Sequence, residues 1–351
     1  MDELPCDNCK ISSEAGHSYC TKCGRPVTPA PMTPAAPMTP EKKDDGLHMV
    51  LKFTGLIVLL ACGAMLIFEM YALFWTFGDI WTGIERYNLG IVFLVPVPVV
   101  PFYIGGIIAK FYYLFLILAV IVSFVLIIYN SRGGIARIAR GKLDELDRMP
   151  LYAVVTLFAA YISINVLLIF LVMAFGYDPA TLEDPDEMWM LWYSLLNASV
   201  WEEVICRVLL IGVPLMIAGI AVNAKGSCKR LFGGVEMDKF AVSLIIFSAV
   251  VFSLGHLSGW DLFKVIPTFV CGLALGYLFV RFGLYAAIML HFLIDFMSSV
   301  VWVFGSSAPG GMPTTAEVML GLFILSVVVL GIPFIVRYAK HGFAAVKRLF
   351  S

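Results

Sequence analysis

Charged side chains are scarce in this sequence. Only 14% of its 351 residues are Asp, Glu, Lys or Arg, whereas soluble domains carry about a quarter. The formal net charge is −1, and the absence of a basic excess gives no reason to expect a nucleic acid partner. The N-terminus lacks a basic segment followed by an apolar one, which argues against a cleaved signal peptide. Hydrophobic residues make up 60% of the chain, and this balance predicts an integral membrane protein in contact with the lipid bilayer.

Cysteines are few outside one cluster near the N-terminus. Half of the eight form two CxxC pairs, at Cys6, Cys9, Cys20 and Cys23. Two such pairs supply four thiolates for tetrahedral zinc, and a segment this short needs the metal in order to fold. Residues 1–27 are therefore predicted to form a ribbon with structural zinc, which is suited to a cytoplasmic protein partner. A redox dithiol is the alternative.

Long apolar runs separated by short polar loops follow a proline-rich linker at residues 28–46, which is expected to be an extended spacer. A spanning helix needs about 20 apolar residues. On this criterion the chain is predicted to be an all-α polytopic membrane protein with eight spans, near residues 51–75, 111–130, 151–175, 191–222, 240–257, 265–280, 283–304 and 317–336. The fourth run is too long for one upright helix. Residues 186–198 are therefore expected to lie along the interface and to enter the membrane at a bend.

Prolines crowd the uncharged run at residues 89–109. Pro96, Pro98 and Pro101 lie in its middle, and prolines interrupt helices. A spanning helix here would also place the basic loop Ser131–Arg148 outside the cell, against the positive-inside rule. We therefore expect a re-entrant or interfacial hairpin, which leaves the N- and C-termini cytoplasmic. The plasma membrane is the expected location.

Ionisable side chains inside the apolar runs are concentrated in three motifs. The first is Glu202-Glu203-x-x-x-Arg207 in the fourth run, where Glu203 and Arg207 are four residues apart and can pair on one helix face. Glu202 is then left as an unpaired carboxylate in a low-dielectric setting, which suits a general acid or base. The alternative is a buried ion pair that only fixes helix packing.

The other two motifs each contain a histidine. His256 ends the fifth run, in Phe252-x-x-x-His256, and is either a site residue or an interfacial residue without a role. His291 and Asp295 in the seventh run are four residues apart and share a helix face. Asp295 can orient the imidazole, or both can ligate a metal. A structural hydrogen bond between them is the alternative.

The order EExxxR, FxxxH and HxxxD on successive helices resembles the CAAX prenyl endopeptidase and bacteriocin-processing (CPBP) family of intramembrane proteases, over roughly Trp189–Trp302. The resemblance implies an endopeptidase that hydrolyses a peptide bond in a membrane-associated peptide or protein, with prenylated CAAX-type peptides as one substrate class. It makes Glu202 the residue that activates water, supported by Glu203 and Arg207.

The resemblance also implies roles for the remaining residues. His256 helps to hold the water, and His291 and the residue at position 295 contact the carbonyl oxygen or a metal. The prenyl endopeptidase branch has Asn where this chain has Asp295, and an ionised Asp cannot donate a hydrogen bond to an oxyanion. A metal-free mechanism and a catalytic zinc held by Glu202, His256, His291 and Asp295 therefore both stay open.

The membrane part is thus divided into N-terminal helices at residues 47–188, a CPBP-like catalytic core at 189–304, and a last span with a basic cytoplasmic tail at 305–351. Two other functions stay open. One is a non-proteolytic scaffold or immunity-type protein of the same fold, which the ribbon and spacer also fit. The other is a proton-coupled transporter with the buried carboxylates as a relay, although no second half of the chain repeats the first.

Overall fold

The computed structural model describes residues 45–95, 97–140, 146–178, 187–224, 226–258, 262–299 and 314–349, together with Cys9, Cys20 and Val303. The chain separates into two compact units, Met1–Met49 and Val50–Ser351. In the first unit Cys9 and Cys20 are both buried. Cys6, Cys23 and most of the predicted ribbon and linker lie outside the described residues.

The second unit is a bundle of helices with one short hairpin. Its elements in chain order are α1 (Asp45–Trp75), α2 (Phe77–Gly83), β1 (Leu89–Val95), β2 (Val97–Ile104), α3 (Gly106–Ile138), α4 (Pro150–Ala174), α5 (Met188–Ala221), α6 (Lys239–Gly255), α7 (Val265–Phe282), α8 (Leu284–Phe296) and α9 (Thr315–Leu349). Buried apolar side chains from the long helices form one continuous core.

Six of the described helices are long and apolar enough to cross a membrane, namely α1, α3, α4, α5, α7 and α9. The helices α6 and α8 are apolar but have only 17 and 13 residues. At 1.5 Å per residue, α8 is about 20 Å long and does not reach across a hydrocarbon core of about 30 Å. A polytopic membrane protein is therefore supported, while the predicted count of eight spans is not confirmed.

The helix α5 carries the EExxxR motif and is unusually long. It runs without a break for 34 residues, Met188–Ala221, so residues 188–198 belong to the same helix as the motif. The predicted interfacial position of residues 186–198 stays a prediction. Within α5 the winding changes: Ala198–Glu202 and Val204–Gly212 are π-helical. The wider π winding is uncommon and is found mostly at functional sites.

Hydrogen bonds outside the membrane-spanning segments fix the start of α5. The Glu187 carboxylate accepts hydrogen bonds from the side chains of Tyr87, Trp189 and Arg86, at 2.9, 2.7 and 2.8 Å. These contacts, led by the one from Tyr87, hold the pKa of Glu187 below its ordinary value. The loop after α2 is thereby attached to the first turn of α5.

The proline-rich run forms a hairpin, as predicted, but its backbone is extended. β1 and β2 pair antiparallel, with Leu89 opposite Ile104 and Val95 opposite Val97. An all-α fold is therefore not the full description. The prolines of β2 prevent a helix, and its many valines favour a strand. The register shifts between Ile91, which pairs with Phe102, and Phe93, which pairs with Val99. Pro101 lies in this irregular part of β2, and bulges tolerate proline because a ladder hydrogen bond is already missing there.

The helices α6 and α7 approach closely along two glycines. A Cβ atom added at Gly272 would lie 2.9 Å from the Cα of Ala249, and one at Gly276 would lie 2.9 Å from Cγ2 of Ile245. The Gly272-x-x-x-Gly276 pair therefore serves packing inside the bundle, where small residues let two helix backbones meet. This contact fixes α6, which carries Phe252 and His256, against the helix that leads into α8.

We expect Gly272→Ala to lower the free energy of unfolding by about 1–3 kcal/mol, because the new methyl group overpacks the contact with α6. The measurement is thermal or denaturant unfolding of the purified protein in detergent. Gly321→Ala is the matched control, since Gly321 also lies in a helix and a Cβ there meets nothing within 4 Å. Equal stability of the two variants would contradict the close approach of α6 and α7.

Candidate active site

The predicted polar residues come together from two helices. Residues 198–212 of α5, which are π-helical except at Glu203, provide Glu202, Glu203 and Arg207, and α8 provides His291 and Asp295. These helices are separated in sequence by α6 and α7. Each of the five side chains nevertheless has a charged or titratable atom within 4.0 Å of such an atom in at least one of the others.

Arg207 and Glu203 form a completely buried ion pair. Nε of Arg207 lies 3.1 Å from Oε2 of Glu203, and neither side chain is exposed. Nη1 of Arg207 also donates to Oγ of Ser248 at 2.9 Å, and Ser248 donates to the carbonyl of Cys206 at 2.6 Å. The guanidinium carbon is 4.9 Å from the centre of the Phe252 ring. Arg207 therefore joins α5 to α6 through a hydrogen bond and a cation–π contact, while its ion pair with Glu203 lies within α5.

His291 lies among three carboxylates. Its Nδ1 is 3.0 Å from Oε1 of Glu203, while its Nε2 is 3.5 Å from Oδ2 of Asp295 and 4.0 Å from Oε2 of Glu202. The sequence suggested Asp295 as the group that orients this imidazole. In the structure Glu203 makes the shorter contact, so one carboxylate holds both His291 and Arg207.

The two adjacent glutamates differ in exposure. Glu203 is fully buried, whereas the Glu202 side chain keeps 23% of its surface accessible. Oε2 of Glu202 is nonetheless buried and has no hydrogen-bond partner among the described residues. Glu203 is thus fixed on both sides, and Glu202 is the carboxylate with access to a small molecule such as water.

Asp295 is held by a residue that the sequence motifs did not indicate. Ser199 donates through Oγ to Oδ2 of Asp295 at 3.1 Å, which links the first π-helical turn of α5 to α8. The side chain of Asp295 is 17% exposed. Ser199 also contacts the carbonyl of Leu195 at 2.8 Å, and serines in apolar helices commonly make this local contact. Because serines with this local contact are common, the sequence does not mark Ser199 as a residue of the site.

His256 stands beside this group and reaches it through Phe252. Its Nδ1 is 2.8 Å from the Phe252 carbonyl, which requires Nδ1 to carry the proton in the neutral ring and leaves Nε2 as the acceptor. The Phe252 ring contacts His256 at 4.8 Å and His291 at 5.9 Å between centroids, both edge to face. The spacing FxxxH thus places an aromatic ring between the two imidazoles.

Trp201 attaches the β-hairpin next to Glu202. Its Nε1 donates to the carbonyl of Val92 at 2.7 Å, and its ring meets Phe93 edge to face at 5.6 Å. Tyr112 of α3 packs against the same indole and donates to Asn197. The hairpin therefore forms part of the wall around the site, which the sequence did not predict.

The catalytic zinc predicted at Glu202, His256, His291 and Asp295 stays a prediction. Within the described ranges, no group of three or more His, Cys, Asp or Glu residues is arranged to hold a metal ion. Of the predicted set, Asp295 and Glu202 approach Nε2 of His291, while His256 is turned to its own helix. We therefore assign no chemical step to a metal in the membrane site.

Comparison with known proteins gives one match. Residues 184–297 match the family model described as type II CAAX prenyl endopeptidase Rce1-like. This segment is about a third of the chain, and it contains every residue of the three intramembrane motifs. No curated protein and no solved structure matches the chain. The match supports the predicted resemblance to the CPBP family, and with it a protease at the level of the family.

We expect Arg207→Met to destabilise the protein by about 3–5 kcal/mol, because it leaves Glu203 buried without its cation. The double variant Arg207→Met/Glu203→Gln removes both charges and should recover much of this loss. Unfolding of the purified proteins in detergent measures both. A double variant as unstable as the sum of the two single variants would show that the two side chains do not act as a pair.

Proposed function

We propose that the chain is an intramembrane endopeptidase that hydrolyses a peptide bond in a membrane-associated peptide or protein. The observation that carries this proposal is the convergence of Glu202, Glu203, Arg207, His291 and Asp295 between α5 and α8. Ionisable groups inside membrane helices are costly and are seldom retained without a function. The match of this same segment to a protease family supports the choice of reaction.

Glu202 is the general base of the proposed reaction. It is the most exposed of the three carboxylates around His291, and its Oε2 lacks a hydrogen-bond partner among the described residues. A water molecule about 2.8 Å from both Oε2 and the His291 Nε2 fits across their 4.0 Å separation. Glu202 accepts a proton from this water as the water oxygen attacks the carbonyl carbon.

His291 stabilises the developing oxyanion. With Nδ1–H donating to Glu203, the protonated ring presents Nε2–H to the pocket and can donate to the carbonyl oxygen. Asp295 accepts from Ser199 and flanks Nε2, so its role is to position His291 and not to donate to the oxyanion.

Collapse of the tetrahedral intermediate completes the reaction. Glu202 returns its proton to the leaving nitrogen, the C–N bond breaks, and the products are a carboxylic acid and an amine. Arg207 keeps Glu203 in place throughout and touches no reacting atom. His256 holds its Nδ1 against the Phe252 carbonyl, and the Phe252 ring lies between it and His291, so no step is assigned to it.

Cleavage by Glu202→Gln is expected to fall at least about 100-fold, because the amide cannot accept the proton from water. The assay uses purified protein in lipid vesicles with a farnesylated CAAX-type peptide and, in parallel, the same peptide without the lipid. Glu236→Gln is the control, since Glu236 is exposed and lies outside the site.

The comparison of the two peptides tests the substrate class separately from the reaction itself. Cleavage of the farnesylated peptide alone supports a CAAX-type substrate, and cleavage of both supports a broader one. Wild-type activity in Glu202→Gln, with folding unchanged, would refute Glu202 as the general base. Failure of the folded wild-type protein to cleave either peptide would refute the protease assignment and favour a scaffold of the same fold.

We also propose that Cys6, Cys9, Cys20 and Cys23 hold one structural zinc ion. The burial of Cys9 and Cys20, one from each CxxC pair, supports this. A cytoplasmic partner for this ribbon, cytoplasmic termini and a plasma-membrane location belong to the same proposal.

Metal analysis of the full-length protein should find about one zinc per chain, because four thiolates fill its coordination sphere. The zinc should be lost in Cys9→Ser/Cys20→Ser and retained in His291→Ala. A second zinc that disappears in His291→Ala would contradict the metal-free mechanism. Full zinc content in the double cysteine variant would contradict the ribbon.

A further inference from the structure

Lysine and arginine side chains gather at one end of the helix bundle, which we call the basic end. Here α3, α5 and α7 end and α4, α6 and α8 begin. The backbone N–H of Gly234 donates to the carbonyl of Phe279 at 3.0 Å, and that of Leu151 donates to Oγ of Ser131 at 3.0 Å. The loops after α3 and α5 and the last turns of α9 supply its cations, among them Arg132, Arg137, Arg148, Lys229, Arg230 and Lys340.

The opposite end of the bundle, which we call the acidic end, has the reverse balance of charge. Its described cations are Arg86, Lys110 and Lys264, and the first two form ion pairs with Glu187 and Glu85. Its further described acids are Asp79, Asp178 and Glu317. Cytoplasmic loops of membrane proteins carry the excess of lysine and arginine. The basic end therefore belongs on the cytoplasmic side of the membrane, and the acidic end on the other side.

Burial along α8 shows from which end water reaches the candidate active site. The helix begins at the basic end, and every residue from Ala286 to Leu293 is buried. Partial exposure starts at Ile294 and continues at Asp295 and Met297. A carboxylate inside a membrane protein faces water or other polar groups and not lipid. The 17% exposure of the Asp295 side chain therefore marks an opening toward the acidic end.

The helix α5 runs in the opposite direction and shows the same asymmetry. Glu202 keeps 23% of its side-chain surface. Cys206 and Arg207 follow it toward the basic end and have no exposed surface, and neither has Ser248 of α6, which contacts both. A layer of completely buried side chains thus closes the site toward the basic end.

The depth of the site agrees with this direction. From Leu284 to Asp295 the helix α8 rises about 16 Å, which is past the middle of a hydrocarbon core of about 30 Å. The β-hairpin, which contacts Trp201 beside Glu202, lies between α2 and α3 and so belongs to the acidic end.

We propose that the active site opens to the extracytoplasmic side of the membrane, and that its substrates present the scissile bond there in a peptide anchored in the outer leaflet. The cleavage in this inference rests on the proposed function, whereas the side rests on charge and burial. The inference narrows the substrate class. A lipidated tail that is confined to the cytoplasm cannot reach Glu202, whereas the membrane-anchored segment of an exported precursor can.

Thiol labelling from one side of the membrane tests the orientation without any substrate. Cys228 is exposed at the basic end and is a native marker. Leu262→Cys marks the acidic end, because Leu262 is 75% exposed, and Ser298→Cys probes the mouth of the site. Right-side-out vesicles from expressing cells are treated with a membrane-impermeant maleimide, and mass spectrometry identifies the labelled peptides.

We expect the thiols of Leu262→Cys and Ser298→Cys to react at least about tenfold faster than Cys228 in these vesicles, since reactivity requires access to the reagent. Permeabilised vesicles, in which Cys228 also reacts, are the control. Faster reaction of Cys228 in sealed vesicles would show the reverse orientation. Reaction of Ser298→Cys only after permeabilisation would show that the site opens to the cytoplasm. Either result would overturn the proposal.

Cleavage in sealed vesicles tests the side and the reaction separately. The farnesylated CAAX-type peptide, extended by a charged segment that does not cross the membrane, is added to right-side-out vesicles, to inside-out vesicles and to protein in detergent. Vesicles with Glu202→Gln give the background. We expect cleavage at least about tenfold faster in right-side-out than in inside-out vesicles, because charged groups cross the hydrocarbon core at a high cost.

The outcomes distinguish the two claims. Faster cleavage in inside-out vesicles would overturn the extracytoplasmic opening and leave the proposed function intact. Absence of cleavage in detergent, with the protein folded, would refute the proposed function, and the labelling of Ser298→Cys would still decide the side on which the site opens.

Discussion

The buried pair of Glu203 and Arg207 is the interaction on which the site depends. A carboxylate with no exposed surface in a lipid-spanning helix requires a cation, and Arg207 supplies one at 3.1 Å. The same arginine reaches Ser248 and Phe252 on α6, and the other oxygen of Glu203 reaches His291 on α8. One ion pair therefore sets the relative positions of three helices. Glu202 stays outside this arrangement, which leaves it available to bind water.

The sequence indicated which polar residues would cluster better than it indicated their contacts. Spacings of four residues identified the pairs Glu203–Arg207 and His291–Asp295, because side chains four apart lie on one helix face. The prediction that these motifs meet rested on their types and order, and the distances agree with it. Spacing could not indicate that Glu203 makes the shorter contact with His291, since that depends on how α5 packs against α8.

Other features had no usable sequence signal. Ser199 resembles any serine that bonds its own helix backbone, and the π-helical winding of α5 follows from packing and not from composition. The hairpin was expected from Pro98 and Pro101, but its strands depend on pairing between β1 and β2. That pairing, and the contact of Val92 with Trp201, are tertiary.

The segment outside the family match contributes to the site as well as to the membrane bundle. The β-hairpin and α3 pack against Trp201, which lies beside Glu202. The site is therefore assembled from both parts of the chain, with the matched segment supplying the reacting groups and the preceding helices closing the pocket around them.

The proposed reaction requires Glu202 and His291 to hold one water molecule inside the membrane. An experimental structure of the protein in lipid, at a resolution that shows ordered water, would reveal this molecule. We expect water density within about 3 Å of both Oε2 of Glu202 and Nε2 of His291, enclosed between α5 and α8. A dry site, or a Glu202 side chain turned outward to the lipid, would rule out Glu202 as the base that activates water.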